Sequence, residues 1–192
     1  MSEKNNNRYS IWGEFDKGST SAIRQIQEKV NLSLGGPLFK AHLTLSGFFN
    51  IDSEILEDIQ RFSLKQKKIL METQSYGMKD TFFQSLYIEI EKSKSLTGLK
   101  KNLDKVLLNS NGEFFPHISL FYGLEDESIK QLVINKLPAL PKEILLSKLS
   151  IARIEDDIEA WEVIHSFPLV ENITVDNSLG SPILLLIRLN CF

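Results

Sequence analysis

The chain has 192 residues, of which 42% are hydrophobic, 24% charged and 9% aromatic; these are the proportions of an ordinary globular domain, which exclude disorder as the main state and allow one or two domains. Its 22 basic and 25 acidic residues give a formal net charge of -3, which removes the global positive field of a non-specific nucleic-acid binder, so any nucleotide contact has to be local. The single cysteine, Cys191, excludes an intrachain disulfide framework and a multi-cysteine zinc site and makes a reducing, cytoplasmic interior the expected compartment. No membrane contact is expected either: residues 1–7 are polar, lack an apolar signal core and read as disordered. The most apolar run, residues 182–189, contains Arg188 and falls short of the ~18 apolar residues of a membrane span.

Taken in chain order, the periodicity predicts a strand over residues 9–15, then, through Asp16-Lys17-Gly18, a helix starting at Ser19 or Thr20 with Ala22, Ile23, Ile26 and Val30 on one stripe. Gly35-Gly36-Pro37 stops it. A strand over residues 41–49 follows, then a helix capped by Asp52 or Ser53 that aligns Ile55, Leu56, Ile59 and Phe62, then a strand over residues 68–78. The second half repeats the order. A strand over residues 82–91 leads to a helix with Ser95 as its N-cap and Leu96, Leu99, Leu103, Val106 and Leu107 facing a core, while Lys100, Lys101 and Lys105 form a solvated face. A strand over 115–122 and a helix carrying Ile129, Leu132 and Val133 come next. After the proline-broken 137–141 segment, the last strands are expected at 143–154 and 159–167. Strand-helix-strand-helix-strand, twice over, predicts an α+β domain over residues 8–170 made of two related lobes, each a small sheet with outer helices. Residues 171–192 form a tail whose apolar 183–187 run is expected to dock on a sheet edge or a neighbouring chain.

Two of the three histidines open the same tetrapeptide in corresponding places of the two halves: His42-Leu43-Thr44-Leu45 and His117-Ile118-Ser119-Leu120. Strand alternation puts His42 and Thr44 on one face and Leu43 and Leu45 on the other, and likewise pairs His117 with Ser119. If the halves pack about a pseudo-two-fold axis, two imidazoles and two hydroxyls surround a common point. That constellation suits a phosphodiester. Hydrolysis of a cyclic phosphodiester needs a base for the attacking water and an acid for the departing ribose oxygen on the opposite side of phosphorus, and histidine serves as either near neutral pH. The Thr44 and Ser119 hydroxyls would donate to the non-bridging oxygens. A single H-x-S/T is commonly structural; its recurrence at matching positions favours function. His165, with Phe167 at the hydroxyl position, reads as structural. No metal and no other cofactor is expected, since two histidines without a nearby cysteine or spaced carboxylate make a poor zinc site.

These paired H-x-S/T strands resemble the 2H phosphoesterase superfamily, and their flanks narrow the likeness to its plant and fungal cyclic phosphodiesterases. Gly36-Pro37-Leu38-Phe39-Lys40-Ala41-His42 resembles the G-P-x-F-x-P-H approach to the first motif, with Ala41 in place of a proline. Thr81-Phe82-Phe83-Gln84-Ser85 resembles the F-F-Q strand, and Phe115-Pro116-His117-Ile118-Ser119-Leu120-Phe121-Tyr122 the second motif. Tyr9-Ser10-Ile11-Trp12 and Glu159-Ala160-Trp161-Glu162-Val163 resemble the first and last strands. The resemblance covers roughly residues 8–170. It implies a bilobal fold with two pseudo-symmetric lobes of antiparallel sheet, outer helices and a central cleft. It also implies hydrolysis of nucleoside 2′,3′-cyclic phosphates or ADP-ribose 1″,2″-cyclic phosphate.

Substrate contacts follow from parity. Leu86, Ile88 and Ile90 read as core, leaving Phe83 and Ser85 on the other face, where Phe83 could border a nucleoside. Trp12, opposite Ile11 and Phe15, could stack on a base, and ordinary packing accounts for either aromatic equally well. Tyr122 matches the family's tyrosine, yet alternation from His117 points it away from the cleft unless a bend near Gly123 turns it in. The expected partner is a small nucleotide, with no stable nucleic-acid complex; the oligomeric state is not read. Three alternatives stay open: a 2′-5′ oligonucleotide phosphodiesterase, an RNA-end-processing 2H enzyme, and a non-catalytic nucleotide-binding module. Retention of all four motif residues argues against the last.

Overall fold

Strand β1, Arg8–Phe15, is apolar on both faces: Ile11 and Phe15 join the main core, while Trp12 joins a smaller cluster with Ala152 and Ile154. Gly13 lets a neighbour in close, since a Cβ there would lie 2.5 Å from Leu146 Cδ1. The computed structural model describes residues 8–108 and 113–171; the first seven residues and the apolar 183–187 run, with Cys191, lie outside them. Helix α1, Lys17–Leu34, begins earlier than expected because the Asp16 carboxylate accepts the Ser19 N–H at 2.9 Å and so caps the chain before Ser19. It ends where Gly35 takes a φ of 74°.

The remaining elements alternate as the periodicity predicts: β2 (Leu43–Thr44), α2 (Ser53–Ser63), β3 (Ile69–Met78), β4 (Leu86–Ile90), α3 (Lys94–Val106), β5 (His117–Phe121), α4 (Glu127–Ile134), β6 (Glu143–Ile154) and β7 (Glu162–Pro168). Several boundaries move. The expected 41–49 strand is regular only at β2, because the Leu45 and Ser46 amides both donate to the Ile11 carbonyl before Phe49 resumes pairing with Tyr9. Such a bulge bends the strand and re-aims its side chains. Phe82–Gln84 and Ile158–Ala160 are short 3-10 turns ahead of β4 and β7 rather than their first residues. The α3 cap is Ser93, whose Oγ accepts the Leu96 N–H, not Ser95. Lys100 is buried against Asp104 instead of solvated. In α4 the inward residues are Val133 and Lys130, the latter 1% exposed with its ammonium donating to the Lys79 carbonyl at 2.8 Å, whereas Ile129 and Leu132 face outward.

All strand pairings in the sheet are antiparallel, in the order β1-β2-β5-β4-β3-β6-β7, and β6 also pairs with β1, so the first six strands return on themselves. Two lobes result, but they are not the two halves of the sequence. The third strand of each half crosses to the other: β3 pairs with β4, and β6 pairs with β1. β1, β2, β6 and β7 therefore form one lobe and β3, β4 and β5 the other, joined where β2 meets β5 and where β3 meets the start of β6. The helices mix in the same way, α1 packing on α4 and β5, and α2 on α3. Among the described residues no helix is long and apolar enough to cross a membrane.

Candidate active site

At the first of these junctions β2 meets β5 at a single register pair, Leu43 opposite Ile118, both fully buried. Continuing that antiparallel register sets His42 across from Ser119 and Thr44 across from His117, with the two histidines as diagonal neighbours. The alternation expected from sequence holds: Leu43, Leu45, Ile118 and Leu120 enter the core, while His42, Thr44, His117 and Ser119 all line one cavity of about 300 Å³.

Both imidazoles are held in the same way. His42 Nδ1 lies 2.7 Å from the Lys40 carbonyl and His117 Nδ1 lies 2.9 Å from the Phe115 carbonyl, two residues back in each case. A carbonyl only accepts, so each Nδ1 carries the hydrogen and each neutral ring keeps its lone pair on Nε2. Aromatic rings fix the planes: Trp12 stacks on His42 with centroids 3.7 Å apart and planes 9° apart, and Phe115 stacks on His117 at 5.2 Å while Tyr87 meets it edge-on. Trp12 and Tyr87 are symmetry equivalents, since Trp12 pairs with Thr44 and Tyr87 with Ser119.

Electrostatics then separates the two rings. Burial pushes His42, 5% exposed, down to about 4, against the opposing Lys40 carbonyl and with the charge of His117 adding to the fall. His117 is lowered as well, by burial first and by the charge of Lys79, against the Phe115 hydrogen bond. Burial pushes the Tyr122 phenol up to about 12, opposed by the Ser119 hydroxyl. All three side chains are therefore neutral at pH 7 in the free protein.

The other sequence candidates divide. Trp12 lines the cavity, but its ring face is taken by His42 and it is almost wholly buried, so it supports the imidazole instead of offering a free stacking surface. Phe83 is 56% exposed at the rim, and its carbonyl accepts from Ser119 Oγ at 3.2 Å. Tyr122 does enter the cavity: β5 ends at Phe121, and the Gly123 amide donates to the Phe82 carbonyl at 3.1 Å, which turns the chain inward. A Cβ on Gly123 would lie 2.5 Å from the Phe121 ring, so the bend needs glycine. Ser85 is the exception. It sits fully buried outside the cavity wall with its Oγ unpartnered, because the 3-10 turn breaks the alternation assumed for residues 82–91. His165 is exposed on β7 beside Phe167, away from the cavity.

Sequence reasoning missed several wall residues: Trp161, Phe48, Gln84, and the hydroxyls of Ser10 and Ser46. Trp161 closes one side, 6.0 Å from Trp12, 5.7 Å from Tyr122 and 6.2 Å from Phe83, with Nε1 donating to the Glu155 carbonyl. Its signal was present in the Glu159-Ala160-Trp161 segment. Among the described residues no group of three or more histidine, cysteine or carboxylate side chains is placed to hold a metal ion. The arrangement offers two neutral Nε2 atoms and two hydroxyls around one small hollow rimmed by aromatic rings.

The sequence profile of a family described as cyclic phosphodiesterase-like protein matches residues 17–172. A search of curated protein sequences finds no match. Solved structures share the fold at low identity. Apo E. coli LigT superposes with a TM-score of 0.61 at 15% identity, covering 85% of this chain and 97% of that one. LigT in complex with 3′-AMP gives 0.59 at 14%, with coverage of 85% and 95%. TT0787 of Thermus thermophilus gives 0.57 at 18%, with coverage of 84% and 97%.

Proposed function

This chain belongs to the cyclic phosphodiesterase-like family of 2H phosphoesterases, and from that premise we propose that it hydrolyses small ribose cyclic phosphates, nucleoside 2′,3′-cyclic phosphate or ADP-ribose 1″,2″-cyclic phosphate, by acid and base catalysis from its two histidines. One observation carries the reading: two imidazoles, each with Nδ1 committed to a backbone carbonyl, present their remaining nitrogens to one cavity. A binding pocket has no use for two proton carriers so matched. A cavity of about 300 Å³ lies at the lower end of the volume range of small-ligand sites, as a single nucleotide requires.

The division of labour follows burial. His42, the more strongly depressed, keeps its Nε2 lone pair free and takes a proton from water as the water oxygen attacks phosphorus. His117, nearer its ordinary value, is protonated when the substrate's anionic phosphate enters and raises it. It then gives that proton to the ribose oxygen as the P–O bond opposite the water breaks, leaving a phosphomonoester beside a free hydroxyl. Thr44 donates to a non-bridging oxygen as charge gathers there, and Ser119 does the same by turning its one hydroxyl hydrogen away from the Phe83 carbonyl, its partner in the free protein. Phe83 and Trp161 flank the base. E. coli LigT binds 3′-AMP, a ribose monophosphate of the kind such a reaction releases.

Phosphorus NMR of the protein with 2′,3′-cyclic nucleotides and with ADP-ribose 1″,2″-cyclic phosphate tests the proposal directly. The expected result is loss of the cyclic resonance and growth of one monoester signal, whose position identifies the oxygen that keeps the phosphate. Binding without turnover of either compound would refute it in favour of a nucleotide-binding module. Turnover of 2′-5′-linked oligonucleotides alone would replace the substrate class.

A further inference from the structure

Behind the cavity wall, on the face of β1 that carries Ser10 and Trp12, lies a buried carboxylate that the scheme above does not use. Glu14 is 3% exposed. Its Oε2 meets the Lys40 ammonium at 2.8 Å and the Lys148 ammonium at 3.3 Å, while Oε1 has no hydrogen-bond partner. Lys148 stands directly across from Glu14 on β6. Lys40 is the residue whose carbonyl holds His42 Nδ1.

We propose that Glu14 is a positioning residue for His42: it ties down the Lys40 side chain, and with it the carbonyl that orients the ring, and it offsets the ammonium charge that Lys40 brings beside the imidazole. The inference rests on His42 acting as the base. A carboxylate with only half its oxygens satisfied is a costly thing to bury for stability alone. Burial acts to raise the Glu14 carboxyl but is outweighed by the Lys40 ammonium bonded to it, by the nearby Ser150 hydroxyl and by the charges of Lys40 and Lys148, so it stays ionised. Its charge raises His42, whereas Lys40 and His117 lower it.

The other groups facing His42 do not duplicate this role. Tyr122, beyond the end of β5, is neutral until far above pH 7. Trp161, ahead of β7, presents an uncharged ring. Glu159 and Glu162, on either side of Trp161, line the next hollow along with Lys40. Glu14 is thus the carboxylate whose field reaches a base already depressed by burial, and it keeps that base from weakening further.

The test is an NMR titration of the His42 ring in the full chain, run on wild type, E14Q, K40M and E14Q/K40M, with kcat/KM against pH measured in parallel. E14Q should move the His42 titration, and the acid limb of kcat/KM, to lower pH. K40M should move both to higher pH, and the double variant should return close to wild type. A side chain that merely fills space gives no such opposed shifts. Because E14Q alone leaves two ammonium groups without their counter-charge, E14Q/K148M removes one charge of each sign and should still lower His42. An unshifted His42 in folded E14Q or E14Q/K148M, or a shift of the same sign in E14Q and K40M, overturns the proposal. The NMR readout needs no substrate, so failure of every cyclic phosphate to turn over would refute the proposed activity while leaving this result to stand or fall by itself.

Discussion

Acidification should unfold this protein partly through one imidazole, and the size of the effect can be worked out. His42 binds its proton at about 4 when folded, against 6.5 for the free side chain. Between those values the unfolded chain takes up a proton that the native state refuses, so stability is intact above 6.5 and falls as pH drops toward 4. The linkage relation gives a negligible loss at pH 7, ~2 kcal/mol at pH 5 and ~3 kcal/mol at pH 4. Urea unfolding of wild type and H42N at pH 7 and pH 5 isolates the term, since His117 and the carboxylates contribute equally to both proteins. Wild type should lose ~2 kcal/mol more than H42N over that interval, a midpoint difference of roughly 1 M urea for a typical m-value. Equal losses in the two proteins would show that His42 is not held neutral by its burial, and the reasoning that makes it the base would fail with that result.

Alanine at His42 or at His117 should each lower kcat with a cyclic phosphate by ~10²–10⁴-fold in a folded protein; near-wild-type turnover in either, measured by phosphorus NMR, would contradict the two-histidine scheme. T44A and S119A should be milder, with S119A the worse of the two because its hydroxyl also anchors the Phe83 carbonyl; a hydroxyl variant as inactive as the histidine variants would implicate that oxygen as a nucleophile. W161A should raise KM by ~10-fold with a smaller effect on kcat, the equivalent of one lost stacking contact; an unchanged KM would take Trp161 out of the base site. Since both histidines are lowered, kcat/KM should follow a bell centred on the acid side of neutrality and should survive chelators; an optimum above pH 8, or activity restored by one divalent ion, would refute this.

Strand alternation explains why the chemistry could be read early. His42 with Thr44, and His117 with Ser119, share a face for a purely local reason: period-two geometry with leucine and isoleucine at the intervening positions. What local pattern does not encode is the partner of a strand. The periodicity of residues 69–78 is the same whether they pair within their own half or with β4, so the crossing of β3 and β6 was invisible. Ser85 was misplaced for a related reason. A 3-10 turn and a strand both accept Phe-Phe-Gln, and the hydrogen bonds from Ser119 and Gly123 that select the turn come from more than thirty residues away. Phe48 and Ser46 escaped notice because a bulge, whose cause lies in β1, re-aims them. Lys130 carries a charge that ordinarily marks a solvated position, and only the carbonyl of Lys79 above it accounts for its burial.

The crossing of β3 and β6 also bears on how the molecule can come apart. Each half of the sequence lends its third strand to the other lobe, as two chains of a domain-swapped dimer lend theirs, except that here a single chain carries both copies. A fragment ending before β4 would hold β1 without β6 and β3 without β4, with two long open edges seeking a partner. Neither half is therefore a unit that can melt while its neighbour stays ordered. The Leu43 and Ile118 pair beside the two histidines is the other junction between the lobes, so the site forms only when the whole sheet has closed, in one cooperative step.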